Sequence, residues 1–342
     1  MEEITLKSQR KKIFAYERGF MSIHLMNIGS KLGIYKLLKE TPAGIEVAEI
    51  ASMLELHEPY IKIWCQSAYH YEILDWENGR FKLPPFFDEI LADKTNINNY
   101  ANSIAMDIDL VGPLLSGAPE YYRSGEIIEP EYTPEMSEAV YEATKYIPHA
   151  FQLAALPQNE ELNRSYEIGI KHLDIGCGNG TFMITLAQSF KKSVFVGIGS
   201  DKFGIEQAEN SISQLGLSQQ VSVMNMNGED LQFDEEFDIV SMVFVLHELL
   251  PAIRTEVVKS AYQSLKKGGQ LLVLDFPYPG NIQDFRDSRY TGGIYDQCFE
   301  ATIGAVHLSA DEVHELLSQT GFREIKRTTV VKSVIDLVQA EK

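Results

Sequence analysis

The spacing of apolar residues changes along the chain near residue 165. Ahead of that point apolar residues recur at helical spacing, most clearly over residues 20–38. Beyond it, short apolar runs alternate with helical stretches, a rhythm that is typical of right-handed βαβ units. We therefore predict a mostly helical front part, followed by an α/β fold whose parallel sheet is covered by helices on both faces.

The pattern predicts individual elements for the α/β part. Strands are predicted at residues 170–175, 194–198, 221–225, 238–244, 270–275, 323–329 and 333–339. Helices are predicted at residues 180–190, 203–215, 252–266 and 309–319. A long insert over residues 276–308 separates the fifth strand from the last helix.

A turn signal marks the end of the first helical region. In residues 72–83 (EILDWENGRFKL), two short extended runs flank Asn78-Gly79, which predicts a β-hairpin. Two short helical segments, residues 45–54 and 58–71, come before it. Three helices followed by a hairpin predict a winged helix-turn-helix.

These elements divide the chain into three segments. We predict a winged-helix domain over residues 1–95, a helical connector over residues 96–160 and an α/β domain over residues 161–342. The connector is interrupted by prolines and rich in tyrosines, so it could also cover a binding site. A chain of 342 residues favours two domains over one.

Composition and charge narrow the function classes. The formal net charge of −19 repels phosphate backbones, so we expect no nucleic acid as a partner. The first residues are polar and do not resemble a secretory leader. No apolar run is long enough to span a bilayer, so we expect no membrane as a partner. The three cysteines are far apart and indicate reduced thiols in the cytoplasm. No Cys/His spacing indicates a metal site.

The string HLDIGCGNG, residues 172–180, places three glycines directly after a predicted buried strand. A strand that turns at once into a helix needs backbone angles that a Cβ would obstruct. The bare loop also lets a ligand lie against the main chain, where the first amides of the helix favour an anionic group. A tight turn without a ligand is the alternative interpretation, but an acid beside three glycines is a poor core element.

The full string Leu-Asp-Ile-Gly-Cys-Gly-Asn-Gly resembles the first motif of class I S-adenosylmethionine-dependent methyltransferases. Residues 237–251, 266–279 and 309–328 are similar to later strands and helices of that family. The front part resembles the winged-helix domain of a bacterial subfamily, similar to small-molecule O-methyltransferases, in which that domain mainly forms the dimer. The resemblance implies a Rossmann-like sheet of seven strands with the last one antiparallel, and a homodimer formed through the N-terminal domain.

The same resemblance implies a cofactor site for S-adenosyl-L-methionine. The loop would hold the methionine end of the cofactor, and Asp174 would face its amino group. The expected cofactor contacts come from the ends of four strands: Asp174, Gly176, Cys177, Gly178, Gly180, Gly199, Ser200, Asp201, Asn227, Gly228, Glu229 and Val243.

The sequence departs from the family where the second strand ends. An acid that binds the ribose hydroxyls is usual there, but Gly199 stands at that position, with Asp201 two residues on. Asp201 could bend back to the ribose, water or backbone could replace the acid, or the cofactor site could be altered or lost. Asp201 could also simply cap the helix that follows. A lost charge-assisted hydrogen bond costs about 1.5–3 kcal/mol, which weakens binding without abolishing it.

Candidate catalytic and substrate residues follow from the same resemblance. His247 lies after the fourth strand, where a histidine of the plant-type relatives removes the proton from a hydroxyl, and neutral imidazole suits that task. A structural or cofactor-contacting role for His247 is the alternative. Tyr132 and Tyr290 lie in segments that could wall the pocket of a small-molecule acceptor. We expect methyl transfer to that acceptor, with oxygen slightly preferred over nitrogen or carbon.

Three other functions remain open at this stage. A methyltransferase-like protein could bind its ligand without catalysis, which Gly199 would explain. A winged helix could bind DNA, but residues 57–71 carry Lys62 as their only Lys or Arg. An NAD-dependent oxidoreductase is disfavoured by the glycine spacing and by the missing acid after the second strand.

Overall fold

The computed structural model describes residues 4–93, 96, 98–128 and 133–342. The chain divides into two compact units, Met1–Pro113 and Leu114–Lys342. Within the described residues, no helix combines the length and the apolar character that a membrane span needs.

The first unit is mainly helical. Its helices are α1 (Leu6–Lys31), α2 (Ile34–Glu40), α3 (Val47–Met53), α4 (Glu58–His70) and α5 (Ala101–Met106). The helical spacing over residues 20–38 falls on two helices, because α1 ends before Gly33 and α2 begins after it. Gly33 has a φ of +73°, a left-handed conformation that breaks the helix and starts α2 in a new direction.

The predicted hairpin is present in this unit. It consists of β1 (Asp75–Glu77) and β2 (Arg80–Lys82), which pair in antiparallel fashion. Asn78 and Gly79 between them have φ values of +50° and +86°, as a two-residue hairpin turn with the strand twist requires. Three helices, α2 to α4, precede the hairpin, in the order that the sequence predicts for a winged helix.

Helices fill the chain up to the sheet. They are α6 (Gly112–Ser124), α7 (Pro134–Thr144), α8 (Ile147–Ala150) and α9 (Glu160–Ile168). Two of them begin at polar caps, since Thr133 accepts a hydrogen bond from the Met136 amide and Asn159 accepts one from the Leu162 amide. The helical character predicted for this region is therefore confirmed for its described residues.

A seven-stranded sheet forms the second unit. Its strands are β3 (Lys171–Ile175), β4 (Val194–Gly199), β5 (Val221–Asn225), β6 (Phe237–Val243), β7 (Leu265–Asp275), β8 (Arg323–Val331) and β9 (Ile335–Glu341). Their order is β5-β4-β3-β6-β7-β9-β8, and β9 runs antiparallel to both of its neighbours, β7 and β8, whereas the other neighbouring pairs of this sheet are parallel. The strand order reverses at β3, so a crevice opens beside the loop that follows this strand.

Helices cover both faces of the sheet. They are α10 (Thr181–Ser189), α11 (Lys202–Gln214), α12 (Pro251–Ser264), α13 (Thr291–Glu300) and α14 (Ala310–Thr320). One apolar core, around Phe182 and Phe195, lies on one face, and a second core, around Val257 and Leu317, lies on the other. The predicted α/β fold is confirmed, and the insert over residues 276–308 contains α13.

Candidate active site

The loop after β3 is built from three glycines in left-handed conformations. The φ values are +75° at Gly176, +51° at Gly178 and +75° at Gly180. A Cβ on Gly176 would come within 2.3 Å of a methyl carbon of Val245, so this glycine is required by packing. At Gly178, by contrast, no atom of the described residues lies within 4 Å of the Cβ position. The main chain of Gly178 therefore borders open space at the carboxyl end of β3.

Backbone hydrogen bonds hold the loop in place. The amides of Gly176 and Cys177 both donate to the carbonyl of Ile198, near the end of β4, at 2.8 Å each. Cys177 is buried and packs beneath the loop. Helix α10 begins at Thr181, so its first amides face the crevice, where they favour a negatively charged ligand group.

A buried hydrogen-bond chain orients Asp174. The Ser241 hydroxyl donates to Asp174 Oδ1, His172 Nε2 lies 2.8 Å from Ser241 Oγ, and the Tyr166 hydroxyl lies 3.1 Å from His172 Nδ1. Burial lowers the pKa of His172 to about 3, so the ring is neutral and donates through Nε2. Sequence reasoning found Asp174 but missed these supporting residues, which lie on α9, β3 and β6.

The pKa of Asp174 carries a testable consequence. Burial raises it to about 7, and the hydrogen bond from Ser241 opposes this only in part. Because the folded-state pKa lies above that of the unfolded chain, the native protein keeps a proton that the unfolded chain has lost. Asp174 therefore makes the ligand-free protein less stable as the pH rises from about 4 to about 7, by up to about 1.4 kcal/mol per pH unit.

Asp174→Asn removes this titration while keeping an acceptor for Ser241. We expect the free energy of unfolding of the variant, minus that of the wild type, to increase with pH over the same interval. Urea unfolding of both ligand-free proteins at several pH values measures this difference. A difference that stays constant with pH would contradict the buried, protonated carboxyl.

The end of β4 lacks the ribose-binding acid. A Cβ on Gly199 would lie 3.7 Å from the Gly178 amide nitrogen and 3.7 Å from Ile205 Cδ1, which is ordinary contact distance. Asp201 caps α11, since Oδ1 accepts from the Phe203 amide at 3.0 Å, and Oδ2 accepts from the Ser137 hydroxyl. Asp201 thus has the capping role that the sequence offered as its alternative, with both carboxylate oxygens engaged.

The remaining predicted cofactor residues lie around the same edge of the sheet. Ser200 and Glu229 are exposed, and Val243 is the last residue of β6. Gly228 is required by packing, because its Cβ would meet Val257 at 2.8 Å. Asn227 donates to Asp230 at 3.1 Å. Their contacts with the cofactor remain predictions.

Asn225 was missed by sequence reasoning. Its side-chain amide donates to the carbonyl oxygens of Gly199 and Ser200, at 2.9 and 3.1 Å. Those two bonds fix the turn that leads from β4 into α11. The signal was weak, because an asparagine at the end of a strand is common in any turn.

His247 is buried beyond the end of β6. Its Nδ1 lies 2.6 Å from Asp275 Oδ1, and its backbone amide also donates to the Asp275 carboxylate. Asp275 thus orients the ring, whereas the adjacent Glu248 is exposed. The other ring nitrogen, Nε2, faces Asp296 and Glu300 of α13, at 3.5 and 3.4 Å.

The surroundings of His247 affect its protonation. Burial by itself would lower the pKa of His247, but the charge of Asp275, its hydrogen bond and the nearby Glu300 raise it well above the ordinary value. Without a further cation the ring is therefore charged near neutral pH. His247 as a general base remains a prediction, and the described geometry shows both ring nitrogens facing carboxylates.

A second histidine completes this group of side chains. His307 stacks on His247 with ring centres 4.2 Å apart, and its Nε2 lies 2.8 Å from Asp296 Oδ2. Arg254 joins the two loops, because its guanidinium donates to the carbonyls of His247 and Val306. Sequence reasoning did not connect His307 with His247, which lies 60 residues earlier in the chain.

The two predicted substrate residues are not tested by this geometry. Tyr132 lies outside the described residues. Tyr290 lies in a short helical turn before α13, half-buried, with the Arg289 guanidinium over its ring at 4.6 Å. Both remain predictions.

Comparison with known proteins agrees with the site. Residues 173–269 match the family model described as a methyltransferase domain. An uncharacterized methyltransferase of Synechocystis sp. is 27% identical over 179 residues, covering 52% of this chain and 78% of the relative. The L-tyrosine C(3)-methyltransferase of Streptomyces lavendulae is 24% identical over 277 residues, covering 75% of this chain and 72% of the relative.

Solved structures resemble the whole chain. Human N-acetylserotonin methyltransferase in complex with SAM has a TM-score of 0.78 at 14% identity, with 100% of this chain and 99% of that chain covered. At such low identity this likeness concerns the fold.

The fold and the glycine loop define a nucleotide-binding α/β enzyme domain. The chain contains a class I S-adenosylmethionine-dependent methyltransferase domain, and S-adenosylmethionine is its cofactor. The described residues fit this cofactor, because Gly178 leaves room for a ligand against the main chain and Asp174 lies directly before the loop.

Proposed function

We propose that the chain methylates an oxygen atom of a small molecule that binds beside His247. When bound, S-adenosylmethionine supplies an electrophilic methyl group on a sulfonium. Transfer of that group is an in-line displacement, so alignment of the acceptor and exclusion of water contribute much of the rate. The chain's own residues supply both, at the carboxyl ends of β3, β6 and β7.

One observation carries this proposal. The segment that leads from β6 to His247 packs directly on the glycine loop, through the contact of Val245 with Gly176. Asp275 at the end of β7 fixes the His247 ring, and both histidines of the group are buried. An acceptor beside this group is thus close to the loop that holds the cofactor, in a region with little water.

The relatives support a small-molecule acceptor. A protein of Burkholderia thailandensis described as an O-methyltransferase family protein has the same fold over nearly the whole chain. The L-tyrosine C(3)-methyltransferase relative shows that this chain is also similar to an enzyme named for carbon methylation. The acceptor atom is therefore the part of the proposal that needs the most direct test.

A screen of phenols, catechols and amines tests the proposed function. Purified protein is incubated with S-adenosylmethionine and each compound, and S-adenosylhomocysteine production is measured. We expect turnover with a hydroxyl compound, and we expect His247→Ala to lower turnover more than cofactor affinity. Unchanged turnover in that variant would remove His247 from the reaction, and cofactor binding without turnover would favour a ligand-binding protein.

We also propose that the chain forms a homodimer through α1. This helix has 26 residues and exposes apolar side chains, among which Phe14, Met21 and Ile28 recur every seven positions. Such a stripe matches a second helix of the same kind. Light scattering is expected to give a dimer for the wild type and a monomer for Phe14→Glu; a wild-type monomer would contradict the proposal.

A further inference from the structure

Four side chains, three of them buried and one partly buried, converge between the end of β6 and helix α13. They are His247, Asp296, Glu300 and His307, and each can direct one ligand atom to a common point. We propose that this group, called here the His/carboxylate cluster, binds one divalent transition-metal ion. Binding of the ion does not depend on the proposed function. Only a role of the ion in methyl transfer rests on that function.

The distances suit an ion of this kind. The four ligand atoms all lie within 4.8 Å of one another. Because nitrogen and oxygen ligands lie about 2.0–2.2 Å from such an ion, two opposite ligands can be about 4.4 Å apart at most. Shifts of a few tenths of an ångström would therefore close the group around an ion. The His247 and His307 rings, 4.2 Å apart and nearly parallel, direct their Nε2 atoms to the same oxygen, Asp296 Oδ2.

Glu300 gives an independent indication of a missing partner. Glu300 is only 6% exposed. Its Oε2 atom accepts no hydrogen bond from any of the described residues. His247 Nε2 lies 3.4 Å away, but not in hydrogen-bond geometry. A buried carboxylate oxygen without a hydrogen bond is costly, whereas a coordinated ion would satisfy it.

The negative charges of the carboxylates in and beside the cluster also favour a bound cation. Three carboxyl groups lie close together here, those of Asp275, Asp296 and Glu300. Among the described residues, His247 and His307 supply the only imidazoles within contact distance of them. An ion with two positive charges would compensate the carboxylates and allow both imidazoles to be neutral ligands.

The residues behind the cluster hold its ligands as metal sites require. Asp275 accepts from His247 Nδ1 at 2.6 Å, which fixes the ring with Nε2 toward Asp296 and Glu300. The Gln297 side chain accepts from the His307 backbone amide at 2.7 Å. A carboxylate behind a ligating histidine is the usual arrangement in metal sites, since it sets the tautomer and the orientation of the ring.

The ligand types select the class of ion. Two imidazoles and two carboxylates suit zinc, iron, manganese or cobalt, whereas magnesium and calcium prefer oxygen ligands throughout. An ion held by four side chains can accept further oxygen ligands from an acceptor molecule. It would then lower the pKa of a coordinated hydroxyl as a Lewis acid, and His247 would act as its ligand instead of as a base.

The experiment begins with metal content and stability. Wild-type protein is purified without chelators, and its metals are measured by mass spectrometry; then it is stripped with a chelator and titrated with zinc, manganese, iron(II) or cobalt(II). We expect about one ion per chain, a lower Tm after stripping and visible cobalt(II) absorption bands on reconstitution. These readouts need neither an acceptor nor turnover.

Shape-preserving variants locate the ion. Glu300→Gln and His307→Gln are each expected to weaken metal affinity at least tenfold, in keeping with the effect of changing metal-site residues. His314→Gln replaces an exposed histidine of α14 and serves as the control, with unchanged affinity. S-adenosylmethionine binding is measured in parallel and shows whether each variant is folded. If the wild-type protein does not bind S-adenosylmethionine, that result counts against the cofactor site and leaves the metal site untouched.

Absence of metal binding would contradict the proposal. If wild-type protein binds none of these ions, and a chelator leaves its Tm unchanged, the cluster is a network of protonated groups and the proposal is wrong. In that case Glu300→Gln is expected to be as stable as the wild type or more so, because it replaces a buried acid with a neutral amide. Should the variants fail to fold, the cobalt(II) spectrum and the chelator effect on wild-type protein still decide.

Discussion

Gly178→Leu is expected to abolish measurable S-adenosylmethionine binding while the protein stays folded. The Cβ position of Gly178 borders open space, so a leucine at this position starts without a clash at Cβ, and we expect it to fill the room beside the loop. The left-handed backbone adds a strain of about 1–2 kcal/mol, which lowers stability modestly. Titration calorimetry measures the binding, and thermal unfolding measures the stability.

Gly216→Leu is the matched control for this variant. Gly216 follows α11, has a φ of +67°, and likewise has no atom of the described residues within 4 Å of its Cβ position. It should therefore lose about the same stability as Gly178→Leu but keep full cofactor affinity. Equal binding by both variants would contradict the assignment of the glycine loop.

Gly199→Asp is expected to bind S-adenosylmethionine more tightly than the wild type. The new side chain has room, since its Cβ would make only ordinary contacts, and Gly199 has no left-handed backbone. A carboxylate at the end of β4 could accept hydrogen bonds from the ribose hydroxyls. Such charge-assisted bonds are worth about 1.5–3 kcal/mol, which corresponds to roughly tenfold to a hundredfold in Kd.

Gly199→Asn separates charge from shape in this test. The amide has nearly the same size but carries no charge, so we expect a smaller gain in affinity than with Asp. Calorimetry on the three proteins under identical conditions gives the comparison. If Gly199→Asp binds S-adenosylmethionine no more tightly than the wild type, another group already binds the ribose. Asp201 would then be the first candidate for that group, although it caps α11.

The sequence predicted the elements whose determinants are local. The strand that ends at Ile175 and the glycine turn after it were recognisable, because the apolar run of the strand, Asp174 and the three glycines are neighbours in the chain. The hairpin at Asn78-Gly79 was recognisable for the same reason. The start of β7 was predicted too late, at 270 instead of Leu265, because the Gly268-Gly269 pair reads as a turn although the strand continues through it.

The side chains of the His/carboxylate cluster could not be predicted together, because they come from different elements. His247 follows β6, Asp296 and Glu300 lie on α13, and His307 lies in the loop before α14. One signal was available: Asp296 and Glu300 are four residues apart, so a helix would place both acids on one face. Nothing in the chain order indicated that this face would meet His247.

The central claim is that the bare main chain of Gly178, at the end of β3, holds S-adenosylmethionine. Titration calorimetry of the wild-type protein with this cofactor tests it most directly. The structure predicts saturable binding with one site per chain, absent in Gly178→Leu and retained in Gly216→Leu. No heat of binding from the wild type at about 1 mM cofactor would contradict it.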